Sequence, residues 1–325
     1  MTLSDGPSRP GSFLLAPLVW LGRQGAWPMA VSLAGGFALP MLAEPLRPLL
    51  APIVVALLGI ALARVSPQAL RASAGRPVIL VGGTLWCLVA LPLIAALAVR
   101  MTGLAETSPD LAFIIVAGLG SAPVVSAPAY AFMLGLPAAT ALALVAAGMM
   151  VVPVTMPLVL GLAFGGRAEL TVDPVSLFWR LALLLALALA FAALLRRMAG
   201  PARITRSSDL LDGISHVLVF VLAIILVGSL TGDLIAAPGP TLRLAGLSCL
   251  VALAAFALTA GAARLVPGVD AEDRAVLGLC SSVRNLALVL AAVPDLGPVA
   301  IAYVGAVQVP IYLAPLALGL LRRRA

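Results

Sequence analysis

Leu279-Cys280-Ser281-Ser282-Val283-Arg284-Asn285-Leu286-Ala287-Leu288 sets a guanidinium in the middle of an apolar stretch running from residue 271 to residue 294. A cation inside hydrocarbon is costly, and it persists where it serves a pathway, a ligand or an essential internal contact. The rest of the chain says what surrounds it. Of 325 residues, 62% are hydrophobic and 10% charged, whereas a soluble domain carries about 25% charged residues. Mean hydropathy is +1.16. Apolar runs able to cross a hydrocarbon core about 30 Å thick recur along the whole length. This excludes an ordinary soluble domain and leads to the expectation of an all-α polytopic membrane protein, with 1–325 as a single membrane domain.

Hydropathy predicts ten transmembrane helices, at 27–43, 49–65, 77–99, 110–135, 137–161, 175–195, 211–231, 241–264, 271–294 and 297–321. Every basic residue is an arginine. One set of alternating loops holds Arg9, Arg23, Arg64, Arg71, Arg76, Arg196, Arg197, Arg203, Arg206, Arg264, Arg274, Arg322, Arg323 and Arg324; the other holds Arg47, Arg100, Arg167, Arg180 and Arg243. Arginine excess marks the cytoplasmic side, so both termini are expected in the cytoplasm. Residues 1–26 form a cytoplasmic or interfacial N-terminus: the apolar stretch from Phe13 to Leu21 is short for a span and lacks a small-residue cleavage site.

The arginines sit in short loops between apolar segments rather than on a basic face with aromatics, which argues against nucleic acid as a partner. Cys87, Cys249 and Cys280 each lie in an apolar run without a CxxC pair, so neither a disulfide framework nor a zinc site is expected. His216, the only histidine, reads as an interfacial side chain. A Gly-x-Ser-x-Gly elbow is missing, and His216 lies far from Ser121, so an intramembrane enzyme is not expected.

All 13 acids fall in loops or at span ends, which leaves Arg284 without a carboxylate at its own depth. Backbone carbonyls at a helix C-terminus, water or a bound anion must stabilise it instead. Span four offers a place for such carbonyls. Gly118-Leu119-Gly120-Ser121-Ala122-Pro123-Val124-Val125-Ser126-Ala127-Pro128 contains two prolines that remove backbone donors about half a bilayer from Asp110. Ser281-Ser282-Val283 interrupts span nine at the corresponding place. Five spans per half make the two halves, 27–161 and 175–321, inverted repeats, and broken helices at equivalent positions of inverted repeats point to a transporter site.

At these residues the chain resembles the bile acid:sodium symporter family and its wider superfamily, which includes arsenite efflux permeases and auxin-type carriers. Further likeness lies in Leu49-Leu50-Ala51-Pro52-Ile53-Val54-Val55-Ala56-Leu57-Leu58-Gly59-Ile60-Ala61-Leu62, Arg76-Pro77, Leu91-Pro92-Leu93 and Gly135-Leu136-Pro137-Ala138-Ala139-Thr140. The resemblance implies that spans three to five and eight to ten form a core in which four and nine cross. Spans one, two, six and seven would form a panel that moves against it, with substrate between the two. It also implies a bacterial inner (plasma) membrane location. The family's ion-site positions fall on Ser126, Ala127, Thr140, Cys280, Ser281 and Arg284; the family's Glu is replaced by Cys280 and its Gln by Arg284. A guanidinium there repels sodium and either holds the carbonyl ends or offers a fork to an anion. Sodium-independent transport is therefore expected, with no cofactor.

The expected function is secondary transport of a small organic anion by alternating access, as symport or otherwise. Candidate substrate-binding residues are Arg284, Asn285, Ser121, Ser126, Ser282 and Gln308. The expected partners are the anion and membrane lipids, with the chain a monomer or weak dimer. An arsenite-type efflux permease and a non-transporting membrane receptor of the same fold are the alternatives.

Overall fold

In a computed structural model of the chain, residues 12–24, 27–65, 76–165, 173–293 and 295–322 are described, with side chains from residue 15 to residue 313. Arg9, Arg71, Arg167, Arg323 and Arg324, which entered the count of sides, lie outside the described residues. Thirteen named helices carry the architecture. They are α1 (Ser12–Gly22), α2 (Trp27–Ala38), α3 (Pro40–Arg64), α4 (Val78–Met101), α5 (Pro109–Gly120), α6 (Ala127–Met133) and α7 (Ala138–Phe164). After these come α8 (Pro174–Ala199), α9 (Ser208–Ala236), α10 (Pro238–Arg264), α11 (Ala271–Ser282), α12 (Leu286–Ala292) and α13 (Pro298–Arg322). Six of them, α3, α4, α7, α8, α9 and α10, are long and apolar enough to cross a membrane. The described residues form no β-sheet; an isolated antiparallel bridge joins Pro123 to Arg284. The chain is thus an all-α, multi-pass membrane protein.

Proline shapes several of these elements by removing N–H groups. In α3, Pro40, Pro45 and Pro48 break the α-helical ladder, and the chain tightens into 3₁₀ turns at Pro40–Leu42 and Arg47–Leu49 before the regular stretch Leu50–Arg64. The same cluster ends α2 at Ala38, short of the expected boundary at 43. Its 12 residues span about 18 Å. In α4 the helix widens into π segments at Val78–Gly82 and Trp86–Ala90.

The segments that contain the sequence breaks lie inside. All ten residues from Leu111 to Gly120 of α5 are buried, and Phe113 meets Phe164 of α7 with ring centroids 6.0 Å apart. By contrast α8 and α10 keep most of their apolar surface exposed, as helices facing lipid do. α9 lies along α1 and α2, α8 along the regular part of α3, and α10 along α11 and α13. α1 is held closely: a Cβ on Gly213 of α9 would stand 1.9 Å from the Leu18 carbonyl oxygen, and one on Gly22 the same distance from that of Asp209. Small residues at such contacts let helix backbones approach.

Arginines of the larger set converge at one end of this bundle. Arg23 pairs with Asp209 and Arg64 with Asp212, each at 2.6 Å. Arg196 donates to the Ala63 carbonyl at 3.0 Å and the Leu62 carbonyl at 3.3 Å, closing the C-terminus of α3. Arg180, of the smaller set, does the same for α12 through the Ala292 carbonyl.

Candidate functional site

α5 ends at Gly120 because Pro123 has no N–H to give the Leu119 carbonyl. The Ser121 hydroxyl turns back to the Gly118 carbonyl, 2.7 Å away. The helix restarts as α6 with Pro128 in its first turn, where a missing N–H does no harm. α11 ends at Ser282 in a comparable way. Ser281 donates to the Gly278 carbonyl at 2.8 Å and to Ala255 of α10 at 3.1 Å, and Ser282 donates to the Leu279 carbonyl at 2.9 Å. α12 restarts on Asn285, whose Oδ1 accepts the Leu288 N–H at 3.2 Å as an N-cap. The two broken pairs have matching lengths, 12 and 7 residues each. Their breaks run antiparallel, joined by Val124 N–H to the Val283 carbonyl and Asn285 N–H to the Ala122 carbonyl, both 3.0 Å.

Arg284 lies at this junction, 3% exposed. Nη1 donates to the Cys280 carbonyl at 3.2 Å; Nη2 reaches the carbonyls of Cys87 at 3.0 Å, Leu119 at 2.5 Å and Ser121. Each acceptor has a local reason to be free. The Leu119 carbonyl loses its helical donor to Pro123. In α4 the Leu91 N–H bonds to Trp86 rather than Cys87, and the next donor in that wider register belongs to Pro92, which has none; the Cys87 carbonyl is left over. Cys280 and Ser121 stand at helix ends, where terminal carbonyls have no intrahelical partner.

The magnitudes explain why so many bonds are needed. A buried unpaired ion costs several kcal/mol even after relaxation, and a hydrogen bond to a charged group returns about 1.5–3 kcal/mol. One such bond does not hold the guanidinium; one Nη1–H and the two Nη2–H groups, shared among four carbonyls, do. Among the described residues no carboxylate pairs with it, so its positive charge is offset only by carbonyl dipoles.

A narrow cleft of about 50 Å³ lies beside this junction. Its polar lining is Ser126, Arg284, Asn285, Gln308 and Tyr312; its apolar walls come from the breaks themselves, through Val124, Val125 and Leu286, and from α3 and α9, through Leu57, Leu58, Val219 and Leu222. Gln308 donates an amide N–H to the Val304 carbonyl of its own helix, 3.1 Å away. The Tyr312 hydroxyl is buried without a partner. A smaller void of about 20 Å³ also touches Arg284 and is lined in part by Ser248, Ser282 and Tyr303.

Four of the six expected binding residues, Arg284, Asn285, Ser126 and Gln308, therefore share one cleft. Ser121 is fully buried with its hydroxyl committed to the backbone, and Ser282 lines the smaller void. Of the other expected ion-site positions, Ala127 opens α6, Thr140 lies in the first turn of α7, and Cys280 and Ser281 close α11. Sequence reasoning missed Cys87 and Tyr312. A usable signal for Cys87 was Pro92, five residues on. The same device recurs in α13: Pro310 frees the Ala306 carbonyl for Ser248, and Pro315 frees that of Ile311 for Tyr130, at 3.4 and 3.0 Å.

A comparison with models of known protein families returns no match, and neither does one with curated protein sequences.

Proposed function

We propose that the chain is a secondary transporter of a small organic anion with a substantial apolar part, bound in the cleft beside the two breaks. The observation that carries this reading is a guanidinium without a carboxylate partner lining a cleft whose remaining walls are mostly apolar. In such low-dielectric surroundings an unpaired charge acts over several ångströms. It favours an anion and disfavours a dissolved cation. Ser126, Asn285, Gln308 and Tyr312 would supply the direct polar contacts, while the Leu and Val walls take the apolar body. Arg284, whose two terminal nitrogens are bound to carbonyls and whose Nε is buried without a partner, would act chiefly through its field.

The same reading includes movement. The narrow cleft, lined by α2, α3 and α9 together with the crossing and α13, would have to widen to admit an organic anion. Equal lengths and antiparallel pairing of the broken helices agree with inverted halves, the arrangement in which alternating access is achieved by rocking one set against the other. Ten crossings with both termini in the cytoplasm belong to this proposal.

Uptake of labelled organic anions into sodium-free proteoliposomes tests it. Saturable uptake is expected, reduced at least tenfold in Arg284→Gln. Uptake that requires sodium, or that is unchanged in this variant, would refute the reading.

A further inference from the structure

We infer that the crossing of the broken helices is itself a cation site shaped for a planar guanidinium, filled from within by Arg284 and open to a free guanidinium ion when that side chain is removed. The inference does not depend on what the cleft carries.

Four main-chain oxygens, of Cys87, Leu119, Ser121 and Cys280, converge on the two terminal nitrogens of Arg284. These acceptors do not owe their freedom to the arginine. Pro123 and Pro92 release two of them through missing N–H groups, and the other two are helix-end carbonyls. α5 and α11 each direct a C-terminus at the same point, where the terminal carbonyl dipoles favour a cation. The main-chain bonds between the two breaks, Val124 to Val283 and Asn285 to Ala122, hold the segments that carry the Leu119, Ser121 and Cys280 oxygens together without help from any side chain, and the Cys87 oxygen comes from α4. What converges here is thus a preformed cradle of carbonyl oxygens, with no carboxylate in it among the described residues. A rigid planar fork suits it better than a compact ammonium, which reaches fewer acceptors. In the wild type a tethered cation fills the cradle permanently, so the crossing is blind to dissolved cations.

Purified Arg284→Ala in detergent provides the test, read by thermal unfolding. Its midpoint should lie below that of the wild type and rise saturably by ~2–4 °C with millimolar guanidinium chloride. Equal concentrations of urea or potassium chloride should leave it unmoved, and wild type should respond to none of the three. A variant indifferent to guanidinium, or a wild type stabilised equally, overturns the inference. If Arg284→Ala yields no folded protein, Arg284→Lys decides: a lowered midpoint supports a fork-specific cradle, and a wild-type midpoint contradicts it. Failure of anion transport by the wild type would count against the proposed function and leave these readouts untouched.

Discussion

Asp273 is the other buried charge among the described residues. It sits in the first turn of α11, its carboxylate bonded to Arg76 at 3.1 Å through Oδ1, with a second contact through Oδ2. Asp270 caps the same turn by accepting the Asp273 N–H at 2.8 Å; that bond and the nearby guanidinium hold its carboxyl below the usual carboxylate range. Arg76 is half exposed, but its loss would strand a carboxylate with no other cation in contact among the described residues. Removing one partner of a buried pair costs about 3–5 kcal/mol. Arg76→Gln should therefore be strongly destabilising, and Asp273→Asn added to it should recover part of the loss. A double-mutant cycle by denaturant unfolding measures the coupling; additive effects would show that the pair is not a unit. Arg284 follows the opposite logic, since its partners are carbonyls that no single side-chain change removes.

At the scale of elements, close backbone contacts and proline-made vacancies do most of the shaping. The contact of α1 with α9 leaves no space at Gly213, where an added Cβ meets main chain rather than a flexible side chain. Gly213→Ala should lower stability by about 1–3 kcal/mol and expose α1 to a protease; a variant with wild-type unfolding and protection would mean the two helices are not held in that contact. The breaks themselves were legible in the sequence because Pro123, Pro128 and the serine pair 281–282 interrupt apolar runs. The end of α2 was not: Leu39, Pro40 and Met41 are as apolar as the helix before them, and hydropathy runs straight across the bend. Nor were the π segments of α4, because widening a helix by one residue per turn changes which carbonyl is free without changing composition. That is why Cys87 escaped notice although Arg284 did not.

For the whole molecule, the sequence made the membrane class and the buried arginine plain, and Arg284, Asn285, Ser126 and Gln308 could be picked out as polar groups in apolar surroundings. Their meeting in one cleft, and the contribution of Tyr312 to it, depend on how α13 and α9 pack against the crossing, which no local pattern encodes. On the proposed function, the guanidinium of Arg284, held by carbonyls rather than by a carboxylate, sets the preference of this cleft. Calorimetric titration of the purified protein, without sodium, with an apolar monocarboxylate and with its primary amide tests that claim most directly, because the two ligands differ chiefly in charge. The carboxylate is expected to bind at least tenfold more tightly, about 1.4 kcal/mol, with the advantage lost in Arg284→Gln. Equal or tighter binding of the amide, or carboxylate binding that needs added sodium, would contradict the account.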